Sequence, residues 1–143
     1  MSAKVSEDLA VSVQITSDQL EQFAAQGVAL LICNRPDGEE PNQPDFSEIE
    51  SGARAVGIEA VYQPVVPGQI SDQAIADFGN ALEAANGKVL AYCRTGTRSI
   101  TLWALSQARE GSNIDELLQA AHQAGYDLTS MRDRLSQLAK EAL

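Results

Sequence analysis

The sequence predicts an α/β domain: a mainly parallel sheet of four to five strands, flanked by helices. Three observations carry this prediction. Apolar runs of strand length, "VALLIC" (Val28–Cys33) and "KVLAYC" (Lys88–Cys93), alternate with segments whose apolar residues recur at helical spacing. The first run is unbroken, as in strands covered on both faces. Strand and helix succeed one another along the chain, the order that gives parallel strands joined by helical crossovers.

Each element has its own justification. "LAVSVQI" (Leu9–Ile15) alternates apolar and polar side chains, which marks a half-buried strand. Thr16, with Gln19 three residues on, fits a capping box and opens a helix through Gln26, closed by Gly27. After the Val28–Cys33 strand, "NRPDGEEPNQPD" (Asn34–Asp45) holds three prolines and a glycine. Structureless loops of this length are uncommon in compact domains and often functional. "FSEIESGARAV" is a weaker helix, closed by Gly57, and "IEAVYQPVV" is a strand broken by Pro64 and Pro67. Ser71 caps "DQAIADFGNALEAAN", with Ile75, Phe78, Leu82 and Ala85 on one face, and Gly87 stops it. "KVLAYC" then runs into a loop, followed by the helix "SITLWALSQAR" and two more helices, Ile114–Ala124 and Ser130–Ala142. Residues 1–143 read as one domain.

Composition narrows the function. A net charge of −10 repels nucleic-acid backbones and anionic lipid, so neither is an expected partner. The 44% hydrophobic content is that of a folded protein, and no apolar run reaches the length of a membrane span. The first residues, "MSAKVSEDLAVSVQ", lack the apolar core of a signal peptide, so the chain is expected in the cytoplasm. Two cysteines make no disulfide scaffold, and a single histidine supports no multi-histidine metal site. No cofactor and no metal are expected.

The chemistry concentrates in "YCRTGTRS" (Tyr92–Ser99), where a strand gives way to a helix. In parallel sheets, ligands sit beyond the carboxyl ends of the strands. Gly96 lets the chain curl, and the first N–H groups of the next helix lack internal partners. Together they predict an anion cradle that favours the thiolate of Cys93. Arg98 adds a planar fork for an oxyanion, and Ser99 is expected to donate a hydrogen bond to the sulfur. Arg94, Thr95, Gly96 and Thr97 would line the cradle, Arg94 through its backbone with its side chain outward. Arg35, at the end of a strand on the same edge, is a candidate for binding an anionic substrate; the alternative is an ordinary surface arginine. The catalytic set is thus Cys93, Arg98 and Ser99, with Cys93 a nucleophile activated by loop amides rather than by a histidine.

"CRTGTRS" resembles the active loop of rhodanese sulfurtransferases, which run cysteine, four residues, arginine, then serine or threonine. Protein tyrosine and dual-specificity phosphatases space the same residues by five, usually with histidine before the cysteine; here that place is Tyr92. Three stretches outside the loop carry a different resemblance: "ITSDQLEQFAAQGVALLICNRPDGE", "YQPVV" and "FGNALEAANGKVLAYCRTGTRSITLWAL". They look like the dual-specificity-phosphatase-like fold and, more narrowly, the phosphatase-like domain of the beta-lactamase hydrolase-like proteins, over roughly Leu9 to Ala108. In some of those proteins the domain is fused to a persulfide dioxygenase, which makes such an enzyme, or another partner in sulfur metabolism, an expected partner.

The resemblance implies two chemistries. Phosphatases of this fold protonate the leaving oxygen with an aspartate on a separate loop. The matching segment, "PVVPGQISDQAI", places Pro67, Gly68 or Gln69 there, and Asp72 reads better as a first-turn residue of the helix capped by Ser71. Sulfur transfer needs no such acid, and a tighter loop suits the single outer sulfur of a persulfide. The leading expectation is therefore a sulfurtransferase working through a Cys93 persulfide. The alternatives are a cysteine-dependent phosphatase, with a small anionic substrate, and a non-catalytic anion-binding module.

Cys33, ending a neighbouring strand, is either a small hydrophobe in the core or a resolving thiol for Cys93. His122 is expected in a structural or surface role, Trp103 in the core, and Arg132, Asp133 and Arg134 on a solvated helix face.

Overall fold

The computed structural model describes residues 2–142. Five strands, β1 (Ser2–Lys4), β2 (Leu9–Ser12), β3 (Val28–Cys33), β4 (Glu59–Tyr62) and β5 (Lys88–Tyr92), form one sheet in the order β1-β2-β5-β3-β4. All neighbours are parallel except β1 and β2. The helices are α1 (Leu20–Ala25), α2 (Phe46–Ala55), α3 (Asp72–Ala84), α4 (Thr97–Arg109), α5 (Ile114–Gln123) and α6 (Arg132–Glu141). The predicted fold class is the observed one. The strand β1 is an addition: three residues on the sheet's edge are too few to show a pattern.

Alternation along the strands divides the core. Val89 and Ala91 of β5, with Leu30 and Ile32 of β3, face α3, α4, α5 and α6, meeting Ile75, Phe78, Leu105, Leu118 and Leu135. Leu90 and Tyr92, with Leu31 and Cys33, face α1 and α2, meeting Leu20, Phe23, Ile49 and Ala53. Burying each large side chain contributes about 2 kcal/mol, which sets the register firmly, because a one-residue slip would turn every side chain to the wrong face. Trp103 packs in the first of these layers, as expected.

Predicted boundaries shift where tertiary contacts intervene. The strand expected to run to Ile15 ends at Ser12, and beyond it Gln14 N–H donates to the Arg94 carbonyl at 3.2 Å. The capping box at Thr16 is present: Gln19 Oε1 accepts the Thr16 N–H at 2.9 Å. Ser71 Oγ accepts the Ala74 N–H at 3.1 Å, and Asp72 stands exposed in the first turn of α3. No described helix is long and apolar enough to cross a membrane.

The consequence for the site is positional. The strand β5 lies between β2 and β3, so the loop after it opens at the centre of the sheet's carboxyl edge. Both neighbours extend their pairing to hold it there. Cys93 N–H donates to the Ser12 carbonyl at 3.3 Å, and Asn34 N–H to the Tyr92 carbonyl at 2.8 Å.

Candidate active site

The loop folds as its glycine dictates. Gly96 has φ +91°, a conformation that costs other residues about 1–2 kcal/mol, and it serves as N-cap of α4. Its N–H donates to Cys93 Sγ at 3.1 Å. Cys93 is 0% exposed.

Arg98, in the first turn of α4, is 9% exposed and tightly held. Its Nη1 and Nη2 donate to the two carboxylate oxygens of Glu39 at 2.8 and 2.9 Å, and Nη1 also to the Val65 carbonyl at 2.9 Å. A guanidinium has five donors in a fixed plane. Three are taken, leaving the side edge formed by Nε–H and the second Nη2–H. The guanidinium also interacts with the Cys93 side chain, which, after Glu39, helps hold it protonated. Glu39 is in turn held below the ordinary carboxylate range, first by its hydrogen bond to Arg98, against the opposing cost of burial.

Arg35 is not the ordinary surface arginine of the alternative reading. It is 3% exposed, and each of its nitrogens has a protein partner: Nε to Glu39 at 2.9 Å, Nη1 to Gln14 at 3.0 Å and Nη2 to Glu40 at 2.6 Å. It anchors the Asn34–Asp45 loop, so that Glu39 is presented to Arg98. Arg94 points outward, as expected, with its side chain 63% exposed and paired to Glu40 at 2.7 Å. Thr95 and Thr97 are exposed and bonded to each other through their hydroxyls at 3.1 Å.

Ser99 corrects an expectation. Its hydroxyl donates not to the sulfur but to Asn34 Oδ1 at 2.8 Å, while Asn34 Nδ2 donates to the Gln63 carbonyl at 2.9 Å. A hydroxyl has one proton to give, and the buried amide takes it. Ser99 thus ties α4 to the ends of β3 and β4.

Cys33 occupies the core. The sheet pairs it with Tyr92 rather than Cys93, on the α1/α2 side, and its thiol donates to the Arg35 carbonyl at 3.3 Å. Burial pushes its thiol up, disfavouring the thiolate a resolving attack needs. Burial and the adjacent Cys33 push the Tyr92 phenol up as well. His122 is exposed in the last turn of α5. Arg132 pairs with Asp115 at 2.8 Å, and Arg134 donates to the Ile70 carbonyl at 2.7 Å, so Arg134 bridges to the 63–71 segment and is not purely a solvated residue.

Sequence reasoning missed Glu39, Glu40, Asn34 and Tyr126. The first three lie in the long loop already marked as unusual or at its start. Tyr126 carried no sequence signal; its hydroxyl donates to the Thr95 carbonyl at 2.9 Å.

One prediction arises directly. A Cβ on Gly96 would stand 2.1 Å from the Tyr126 hydroxyl. Gly96→Ala therefore forces Tyr126 off the Thr95 carbonyl as well as straining the backbone. The expected loss is about 2 kcal/mol, a fall in Tm of roughly 5 °C, with at least a tenfold fall (roughly) in reactivity at Cys93. A variant with wild-type Tm and alkylation rate would contradict it.

A cysteine just past the central strand β5, at the head of a short loop, with an arginine in the first turn of the following helix, stands on a domain of phosphatase-like fold. The chain belongs to the family described as "Beta-lactamase hydrolase-like protein, phosphatase-like domain", whose profile matches residues 3–110. It is 38% identical over 125 residues to the beta-lactamase hydrolase-like protein of Xylella fastidiosa strain Temecula1, covering 87% of this chain and 29% of that protein. The corresponding Agrobacterium fabrum protein is 35% identical over 108 residues, 76% of this chain and 25% of that one. The chain thus spans less than a third of the curated relatives it matches. Among solved structures, a Neisseria meningitidis Z2491 protein provisionally named a phosphatase superposes with a TM-score of 0.86 at 39% identity, covering 95% of this chain and 96% of that one. Tk-PTP in its active form shares the fold, with a TM-score of 0.77 at 17% identity over 99% and 97% of the two chains.

Proposed function

We propose that this domain is a cysteine-dependent enzyme that takes a group from a small anionic substrate onto Cys93 and then passes it on. The observation that supports this reading is the Gly96 N–H donated to Cys93 Sγ at 3.1 Å, in a loop that leads directly to the buried Arg98 in the first turn of α4. The Gly96 N–H and a fixed cation there offer donors to the oxygens of an incoming anion.

The choice of group turns on the leaving group. Arg98 is bonded to the Val65 carbonyl, so the 63–71 segment borders the site. That segment, "QPVVPGQIS", contains no carboxyl group, and nothing in it can protonate a departing alkoxide. Substrates whose leaving group departs as a stable anion are therefore favoured. Sulfane-sulfur transfer meets the condition: the thiolate attacks the outer sulfur of thiosulfate, the S–S bond breaks, sulfite leaves with the electron pair, and Cys93 keeps a persulfide. Such a domain would hand sulfur to a persulfide-consuming partner.

Phosphate-ester hydrolysis is the other reading, and the comparisons support it better than sulfur transfer. The family description and the name of the Neisseria relative both favour it. Without a proton donor in the 63–71 segment, it would be confined to acidic leaving groups such as aryl phosphates. Intact-mass measurement after thiosulfate or polysulfide, beside an aryl-phosphate assay, separates the readings. We expect one added sulfur on Cys93 and slow aryl-phosphate hydrolysis. Fast hydrolysis with no sulfur adduct would establish the phosphatase, and neither activity would leave an anion-binding module.

A further inference from the structure

Tyr126 reaches the loop because α5 is ended sharply. Gly125, at φ +97°, reverses the chain, with its N–H on the His122 carbonyl at 2.9 Å and the Tyr126 N–H on the Ala121 carbonyl at 2.9 Å. Leu128 anchors the next residues in the core, and Asp127 Oδ1 accepts the Thr129 N–H at 3.0 Å. The ring between them is half-buried against the α3–α6 core layer, with its hydroxyl on the Thr95 carbonyl.

That carbonyl and the Gly96 N–H belong to the same peptide unit. In a trans peptide the two point in opposite directions. One end accepts from Tyr126 at 2.9 Å, and the other donates to Cys93 Sγ at 3.1 Å. We propose that Tyr126 is a positioning residue that holds the Thr95–Gly96 peptide in the orientation that aims its N–H at the nucleophilic sulfur. Because Gly96 has no Cβ, rotation of this peptide is sterically cheap, and the loop alone does not fix it. A rotated peptide would present the Thr95 carbonyl oxygen toward the sulfur, repelling a thiolate and any anion arriving there. The phenol is pushed up by burial and by the nearby Cys93, so it stays a donor across the ordinary working range.

The inference rests on Cys93 being the reactive nucleophile, and not on which group it transfers. The test is the rate of Cys93 alkylation by iodoacetamide as a function of pH, read by peptide mass, for the wild type, Tyr126→Phe and Tyr126→Leu. Tyr126→Phe keeps the ring and its packing. It is expected to slow alkylation at neutral pH by about tenfold, the equivalent of one hydrogen bond, and to move the pH profile upward. Tyr126→Leu should show the same shift with a lower Tm, because only the hydroxyl is concerned with the sulfur. A wild-type profile in Tyr126→Phe overturns the proposal, and faster alkylation does so too, by making Tyr126 a cover over the thiol. If the wild type itself alkylates no faster than an ordinary buried cysteine, Cys93 is not a nucleophile and the functional reading fails with it.

Discussion

Cys93→Ser is expected to reduce turnover to background, a loss of at least about a thousandfold, as when other covalent catalysts lose their nucleophile. The substitution is nearly isosteric, and the hydroxyl oxygen can still accept the Gly96 N–H that the sulfur accepts at 3.1 Å. The fold and the loop should therefore survive, with Tm close to the wild type. What disappears is the nucleophile, because a serine hydroxyl needs a base to take its proton. The one histidine, His122, is exposed in the last turn of α5, and Arg98, which interacts with the residue 93 side chain, is a cation with no lone pair to take a proton. Steady-state turnover with the substrate identified by mass measurement checks the point, together with loss of the covalent adduct. A variant retaining more than a few per cent of the rate would remove Cys93 from the mechanism.

How far this site could be read from the sequence depended on chain distance. The loop is local: Cys93, Gly96 and Arg98 lie within six residues, and their spacing at a strand-to-helix junction declared the turn. The strands β3 and β5 were legible because burial on both faces gives an almost unbroken apolar run, with only the exposed Lys88 at one end. The support around the cradle was not. Glu39 is 59 residues from Arg98 and Asn34 is 65 from Ser99, so their pairing follows only from the order of strands in the sheet. The role assigned to Ser99 failed for the same reason: it is the right residue type beside the site, but the buried Asn34 from another element takes its hydrogen bond. The exclusion of Cys33 from the site depends on register. One step along β5 separates Tyr92, its partner, from Cys93 on the opposite face.

Arg98→Lys is expected to be nearly as damaging as loss of the nucleophile, despite conserving charge. The guanidinium grips both oxygens of Glu39 and the Val65 carbonyl and still keeps a two-donor edge free. An ammonium has three donors and no plane, so it cannot satisfy Glu39 bidentately, cap Val65 and hold an anion at once. Loss of one preorganised donor typically costs about 10²–10³ in rate, and that range is expected here. Stability should fall too, by about 2 kcal/mol, the size of a charge-assisted hydrogen bond in a partly buried setting. This second effect carries a pH signature. Glu39 is held below the ordinary carboxylate range by Arg98. A depressed folded value means that its stabilisation is fully present above the unfolded carboxylate pKa of about 4.3 and is lost as pH falls through the lower folded value. The gap in Tm between the wild type and Arg98→Lys should therefore be widest above about pH 5 and close as the solution is acidified, because protonated Glu39 no longer rewards the guanidinium. Thermal unfolding across the acid range, run beside the alkylation and turnover assays, reads both effects. A pH-independent gap would mean that Glu39 is not the partner lost, and a near-normal rate would place Arg98 outside the anion's reach.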